Sequence, residues 1–333
     1  MIKQPTQVQS NPFPNTDSNK RYYTYDYYLR RTYGGKCAKV TLDAGFSCPN
    51  IDGSRGSGGC IYCSSRGSGD FAQSALLSLR EQYDRQRALI MKKWNTPRFI
   101  PYLQAHTNTY AKAEILRRVY TETLSLPGAV ALHIATRADC LGEDVLTLLS
   151  EVSEQMPLTI ELGLQSMHDE TAERINRCHT LSEFICGFTL LRERVPRARI
   201  GVHLINGLPG ENMDMMLRSA AFVGRLRPDE IKIHLLHVLQ NTALAKMYES
   251  GQYTPMSKEE YVETVAGQLA VIPENIVIGR LTGDGAASEL LAPVWSLKKT
   301  SVLNDIDKYL FKHNVWQGKF VDIAQKLTQN ISI

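Results

Sequence analysis

The chain has 333 residues, 43% apolar and 22% charged, with a formal net charge of +4, which places it among globular proteins large enough for a full hydrophobic core. No apolar run reaches the roughly 18 residues needed to span a bilayer, and the polar start MIKQPTQVQSNPFPNTDSNK lacks the apolar core of a signal peptide. Seven cysteines, an odd number without regular spacing, argue against a disulfide framework, so a reducing, cytoplasmic location is expected.

In chain order, residues 1–20 are rich in Pro, Asn, Ser and Gln and are expected to be mobile. Arg21–Tyr33 interleaves six tyrosines with basic residues, a pattern that either stacks nucleic-acid bases or packs a short helix on the body. The run Lys39–Leu42 leads into a cysteine-containing loop. Leu76, Leu79, Tyr83 and Ile90 then recur at helical spacing. Five more strand signals follow, at Phe99–Gln104, Ala129–Ala135, Leu158–Leu164, Ile200–Ile205 and Ile231–Leu236. Between them lie helical stretches at Ala113–Leu124, Glu143–Val152, 168–177, 181–194 and 212–226. Six mostly unbroken apolar strands joined through helices predict an α/β fold with a parallel sheet, either doubly wound or curled toward a barrel.

Polar residues gather where these strands end: Cys48, Gln104, Thr136-Arg137, Gln165 and Asn206-Gly207. Parallel α/β folds collect their active sites on that edge. After residue 240, Ser257 and Glu260 form a capping box at a helix start, and Asn275–Leu281 reads as a strand. A turn at Thr282-Gly283-Asp284-Gly285 follows, and Trp295-Ser296-Leu297-Lys298-Lys299 leads into a basic amphipathic helix. That Trp beside two lysines fits a base-stacking flap and an ordinary helix cap equally well. Charge is also uneven: residues 1–36 carry +4, residues 294–333 carry +3, and the middle carries −3. Basic ends suit a polyanion such as RNA, and equally an ordinary solvated surface.

The most informative stretch is the loop itself. Cys60 and Cys63 are separated by two residues, and Cys48 and Cys60 by eleven, with Gly53, Gly56, Gly58 and Gly59 among them. Structural zinc sites and most iron–sulfur clusters take four ligands, so three thiols in one loop suggest a centre with one open position. A zinc site completed by a distant His106 or His179 is the alternative. Cys37, Cys140, Cys178 and Cys186 read as small buried hydrophobes. His234 and His237, at the end of the sixth strand, suit substrate contact or packing.

These residues resemble a known family. Cys48…Cys60-Ile61-Tyr62-Cys63 is similar to the cluster loop of radical S-adenosylmethionine (SAM) enzymes, whose commonest form has three residues where this chain has eleven. The longer gap resembles the branch of the Elongator catalytic subunit and, more closely, the YhcC/YtqA-like (MnmL-like) group. Further matching stretches are Ala44-Gly45-Phe46-Ser47, Gln104-Ala105-His106-Thr107, Glu161-Leu162-Gly163-Leu164-Gln165, Asn176-Arg177-Cys178-His179, Gly207-Leu208-Pro209-Gly210-Glu211 and Trp316-Gln317-Gly318.

The resemblance implies a partial (β/α)6 TIM-like radical SAM barrel over 21–240 with a short α/β C-terminal extension over 241–333 that faces substrate. It implies a [4Fe–4S] cluster on Cys48, Cys60 and Cys63, with one iron open to SAM, which is cleaved to a 5′-deoxyadenosyl radical. For the SAM pocket it implies Gln104, Ala105, His106 and Thr107, in place of the Gly-Gly-Glu form common elsewhere. It adds Gln165 and Arg177 as a ribose and carboxylate pair, with Thr136, Arg137, Glu161 and His203 at the same mouth. A flavodoxin or ferredoxin-type reductant is implied as partner. The substrate implied is tRNA, with wobble-uridine 5-carboxymethylaminomethyl converted to 5-aminomethyl. A radical SAM enzyme acting on a small metabolite or protein, and a non-catalytic zinc-containing RNA-binding module, stand as the other readings.

Overall fold

The predicted strands are mostly apolar and buried because both of their faces are covered. In the computed structural model, which describes residues 13–64, 66–67, 72–283, 285 and 287–328, helices cover the outer face and the strands curl around a polar interior. Helix α1 (Tyr25–Tyr33) precedes β1 (Ala38–Leu42). Then come α2 (Leu79–Lys93), β2 (Phe99–Leu103), α3 (Ala113–Leu124), β3 (Leu132–Thr136), α4 (Glu143–Gln155) and β4 (Leu158–Gln165). Two helices, the short α5 (Asp169–Arg174) and α6 (Leu181–Arg194), lead to β5 (Arg199–Asn206), α7 (Met213–Leu226) and β6 (Glu230–Leu235). All six expected strands form, within a few residues of their predicted ends.

The chain after β6 stays with the sheet. A two-residue strand β7 (Val238–Leu239) and helix α8 (Ala243–Glu249) are followed by α9 (Lys258–Val271) and β8 (Val277–Arg280). Strand β8 pairs parallel with β6, so the sheet has seven strands in the order β1-β2-β3-β4-β5-β6-β8. The sequence counted six in the barrel and left the strand expected at Asn275–Leu281 in the extension, because a short strand does not name its partner. The result is an open, parallel half-barrel. Strand β9 (Leu290–Ala292) returns to pair antiparallel with β7, and α10 (Lys299–Lys312) and α11 (Val321–Leu327) complete the chain.

Three local devices position the site. The tyrosine-rich segment forms α1, whose Leu29 packs with Cys37, Ile100 and Ala131 at the N-terminal end of the strands. Tyr25 reaches His133 Nε2 at 3.4 Å. Packing is therefore what Tyr25, Tyr28, Leu29 and Tyr33 of this segment do. Capping boxes start α2 at Ser78/Glu81 and α9 at Ser257/Glu260, while Leu76, counted with the α2 stripe, lies before the helix and is exposed. A second small core of Ile175, Leu208, Leu236, Val238, Leu244 and Tyr253 covers the β6 side of the mouth, and Ile61 packs against it.

Residues 1–12 of the N-terminal segment, and Asp284 of the predicted turn, lie outside the described residues. From residue 13 onward the segment is docked: Asn15 Nδ2 donates to Glu274 O at 3.0 Å and Lys20 pairs with Asp307. Trp295 is a packed cap, its Nε1 donating to Met256 O at 3.2 Å and its ring 5.7 Å from Tyr261. No described helix is long and apolar enough to cross a membrane.

Candidate active site

The loop after β1 folds over the C-terminal edge of the sheet, where left-handed Gly53, Gly58 and Gly59 (φ 88°, 80° and 74°) turn the backbone tightly. The loop is tied down from across the barrel. Asn176 Nδ2 donates to Ser57 O and Gly59 O at 3.0 and 2.6 Å, and Asn50 Nδ2 donates to Asn176 O at 3.0 Å. Cys48, Cys60 and Cys63 thereby come onto the wall of one cavity of about 460 Å³. Donors point at the sulfurs: Asn50 Nδ2 to Cys60 Sγ and Thr107 Oγ1 to Cys48 Sγ, both at 3.2 Å. A hydrogen bond from Cys63 lowers the Cys60 thiol to about 6 against the opposing effect of burial, with Asn50 and Tyr62 assisting. Thiolate, the form that binds metal, is favoured there at neutral pH. Soft thiolates with second-layer donors suit an iron–sulfur cluster. Among the described residues, no group of three or more His, Cys, Asp and Glu side chains is arranged around a single metal ion's position.

Gln104, His106, Thr107, Thr136, Arg137, Glu161, Gln165, Arg177 and His203 all line this cavity. Ala105 does not; it is fully buried, and its carbonyl accepts from Asn108 Nδ2 at 3.0 Å. Left-handed backbone at His106 (φ 55°), Gln165 (67°), Asn176 (55°) and Cys178 (59°) clusters at the mouth, a strain that such sites retain. Arg177 is 2% exposed, and its guanidinium donates to Ser166 O at 2.6 Å, to His179 O at 2.8 and 3.1 Å, and to Leu164 O. Arg137 forks onto Asp139 at 2.8 and 2.9 Å and donates to Arg177 O at 2.7 Å. Both arginines hold the loop that staples the cysteine segment. His179 is buried among them, its ring held near a pKa of about 3 by burial and by Arg177 and Arg137. Of the other thiols Cys37 is buried as expected, Cys140 and Cys178 are half-buried, and Cys186 is exposed on α6, against the expectation of burial.

Deeper in lies a ring of polar side chains, of which the sequence analysis named Glu161 and His203 and missed Lys39, Tyr102, His133 and Lys232. Glu161, 1% exposed, accepts from Tyr102 Oη at 2.5 Å, Lys39 Nζ at 3.0 Å, His133 Nδ1 at 2.8 Å, His203 Nε2 at 2.9 Å and Lys232 Nζ. Burial alone would raise this carboxyl, but Lys232, Lys39 and the imidazoles overcome it and hold Glu161 well below the carboxylate range. Burial likewise pulls Lys232 down to about 7. One signal was available: each of β1 to β6 carries one such residue (Lys39, Tyr102, His133, Glu161, His203, Lys232) inside an apolar run. Two places along each strand stand Thr41, Gln104, Ala135, Gly163, Ile205 and His234, all on the cavity wall.

These histidines make the fold acid-sensitive. Burial, reinforced by Lys39, lowers His133 to about 3, and burial with Lys232 lowers His203 to about 4. Below about pH 6.5 the unfolded chain gains a proton on each imidazole while the folded chain does not, so stability is full above that pH and falls as the pH drops toward 4. Each contributes about 1.4 kcal/mol per pH unit, so urea unfolding of the apo chain at pH 6.5 and 4.5 is expected to differ by roughly 5 kcal/mol. His179, also held near a pKa of about 3, adds to the same slope, and His203→Gln is expected to remove its own share of about 1.4 kcal/mol per pH unit. A midpoint that stays constant across the range contradicts buried neutral imidazoles.

A half-barrel whose C-terminal edge carries three thiols on the wall of one cavity suits an enzyme built around a metal cluster. Residues 51–223 match the Radical SAM superfamily model and residues 228–312 match the Radical_SAM C-terminal domain. The chain is 43% identical to the protein YtqA of Bacillus subtilis (strain 168), over 94% of this chain and 97% of that one. It is 29% identical to a tRNA uridine(34) acetyltransferase of Methanocaldococcus jannaschii, over 56% of this chain and 34% of the relative. Among solved structures, Elp3 of the archaeon Methanocaldococcus infernus superposes with a TM-score of 0.63 at 19% identity, covering 84% of this chain and 64% of that one. The chain belongs to the radical SAM superfamily. The cofactors of that family are a [4Fe–4S] cluster and S-adenosylmethionine, and the donor set at Cys48, Cys60 and Cys63 fits the former.

Proposed function

We propose that this radical SAM enzyme acts on the wobble uridine of tRNA, converting a 5-carboxymethylaminomethyl group to 5-aminomethyl. The supporting observation is that three thiols, two of them with a directed donor, share one cavity of about 460 Å³ with the polar interior of the barrel. A relative named for tRNA uridine(34) points to the substrate class. Bound there, the cluster and SAM supply an electron and the power to abstract hydrogen.

The protein's own residues divide the work. Cys48, Cys60 and Cys63 hold the cluster, and Gln104, His106, Thr107, Thr136 and Gln165 frame the SAM side. Ala105 supports that segment from beneath, while Arg137, Arg177, Glu161 and His203 fix the wall through the bonds described. Residues 241–333 form the substrate side, since Arg280, Gly283 and Gly285 reach the cavity. Tertiary packing joins the two basic ends: Arg21 lies over the Phe311 ring at 5.3 Å, Phe311 is 74% exposed, and Lys319 lies over Trp316 at 4.8 Å. Cations on exposed rings suit RNA. A flavodoxin or ferredoxin-type protein is the proposed electron source.

The experiment gives anaerobically reconstituted protein SAM, a chemical reductant and bulk tRNA. RNA-dependent 5′-deoxyadenosine together with an altered nucleoside is expected. Deoxyadenosine at an equal rate without RNA, with no nucleoside change, removes tRNA as substrate and favours a small metabolite or a protein.

A further inference from the structure

Strand β4 ends irregularly, and the irregularity brings one side chain into the cavity. Glu161, Gly163 and Gln165 fall on the inner face of the strand, and all three line the cavity. Gly163 pairs with His203 on β5. Two residues on, Gln165 pairs with Leu204, where an unbroken ladder would offer Ile205. This bulge coincides with the left-handed backbone of Gln165 (φ 67°), a conformation that a residue with a side chain adopts only at a cost. Bulges beside active sites re-aim side chains, and here the re-aimed group is the Gln165 amide.

The amide comes to rest on Gly163. A methyl group built on Gly163 would stand 2.6 Å from Gln165 Nε2 and 3.7 Å from its Cδ, and beyond the adjoining residues it would meet nothing else within 4 Å among the described residues. Gly163 is not among the left-handed glycines, so the backbone itself does not demand glycine there. What demands it is the room that the amide takes. The next strand repeats the device, since a methyl group on Gly201 would stand 3.3 Å from Glu161 Cγ. Most other polar groups expected around SAM are already committed. Thr107 Oγ1 donates to Cys48 Sγ, Thr136 Oγ1 bonds to Thr109 Oγ1 at 2.5 Å, Arg137 forks onto Asp139, and Arg177 is spent on the carbonyls of Leu164, Ser166 and His179. The Gln165 amide, by contrast, has no hydrogen-bond partner among the described residues. An amide that offers both donors and an acceptor, held over open cavity by a bulge, a strained residue and a glycine, is set out for a ligand.

We propose that Gly163 is a positioning residue of the SAM pocket: it seats the Gln165 amide inside the cavity and, through that amide, sets the affinity for SAM. This rests on the SAM side assigned to Gln165 above and not on the choice of substrate.

The test is a double-substitution cycle. SAM affinity is measured by equilibrium dialysis on anaerobically reconstituted protein with its cluster oxidised, a state that leaves SAM intact, and urea midpoints are taken for each apo variant. Gln165→Ala is expected to weaken SAM binding by about tenfold. Gly163→Ala displaces the amide without altering its chemistry. It is expected to weaken binding to a similar extent at an unchanged urea midpoint, because only the end of a flexible side chain has to move. The double variant is expected to bind no more weakly than Gln165→Ala alone, since the methyl group then meets nothing. Full additivity in the double variant, or wild-type affinity in Gly163→Ala while Gln165→Ala is weakened, overturns the seat. A urea midpoint lowered by Gly163→Ala and left low in the double variant assigns Gly163 to packing and overturns it as well. Equal affinity of wild type and Gln165→Ala overturns the assignment of Gln165 to SAM, and the proposal with it.

Discussion

Replacing Cys60 by alanine is expected to drop reconstituted iron from about four to less than about one per chain, and to slow 5′-deoxyadenosine formation by about a thousandfold or more. Cys60 is the best-supported of the three thiols: Asn50 donates to it at 3.2 Å, Cys63 bonds to it, and its thiolate is favoured at neutral pH. Two remaining thiolates do not fix a cluster, and an iron that is not held offers SAM no defined site. Cys186, exposed on α6 and absent from the cavity wall, is the control; Cys186→Ala is expected to leave iron content and cleavage unchanged. Iron analysis and product chromatography on the two variants decide the matter. Wild-type cleavage by the Cys60→Ala protein would falsify the assignment of the cluster to this loop.

The second large effect is on stability. Glu161→Gln keeps the volume of the side chain and removes its charge, leaving the Lys232 and Lys39 ammonium groups and two imidazoles around a neutral amide. Breaking a buried ion pair from one side costs about 3–5 kcal/mol, because the surviving charge stays buried without its counter-ion. Urea unfolding at pH 6.5, where Lys232, held near 7, still carries its charge, is expected to show a loss of that size. Adding Lys232→Met should restore part of it, since the second substitution removes the stranded charge. A loss below about 1 kcal/mol, with no recovery in the double variant, would show that the ring does not stabilise the barrel.

How much of this was legible beforehand follows from the range of the interactions. The apolar runs of β1 to β6, the capping box at Ser257 and the spacing of Cys48, Cys60 and Cys63 are local, and each was readable. Gln104, Thr136 and Gln165 were legible as mouth residues because strand ends in a parallel sheet share one edge. The packing of Arg177 was not, because four of its hydrogen bonds run to carbonyls of Leu164, Ser166 and His179 that no side-chain pattern encodes.

By itself, then, the amino-acid order determined the alternation of strand and helix, the parallel sheet and the thiol loop, since backbone propensity, periodicity and ligand spacing act over a few residues. Only the tertiary structure decided that β8 joins β6, that α1 packs beneath the strands and that Trp295 is packed. It alone placed Lys39 on Glu161, 122 residues away in the chain. Period-two alternation says which side chains share a face of a strand. Which face becomes the enclosed interior, and which charges meet there, is fixed only when the sheet curls.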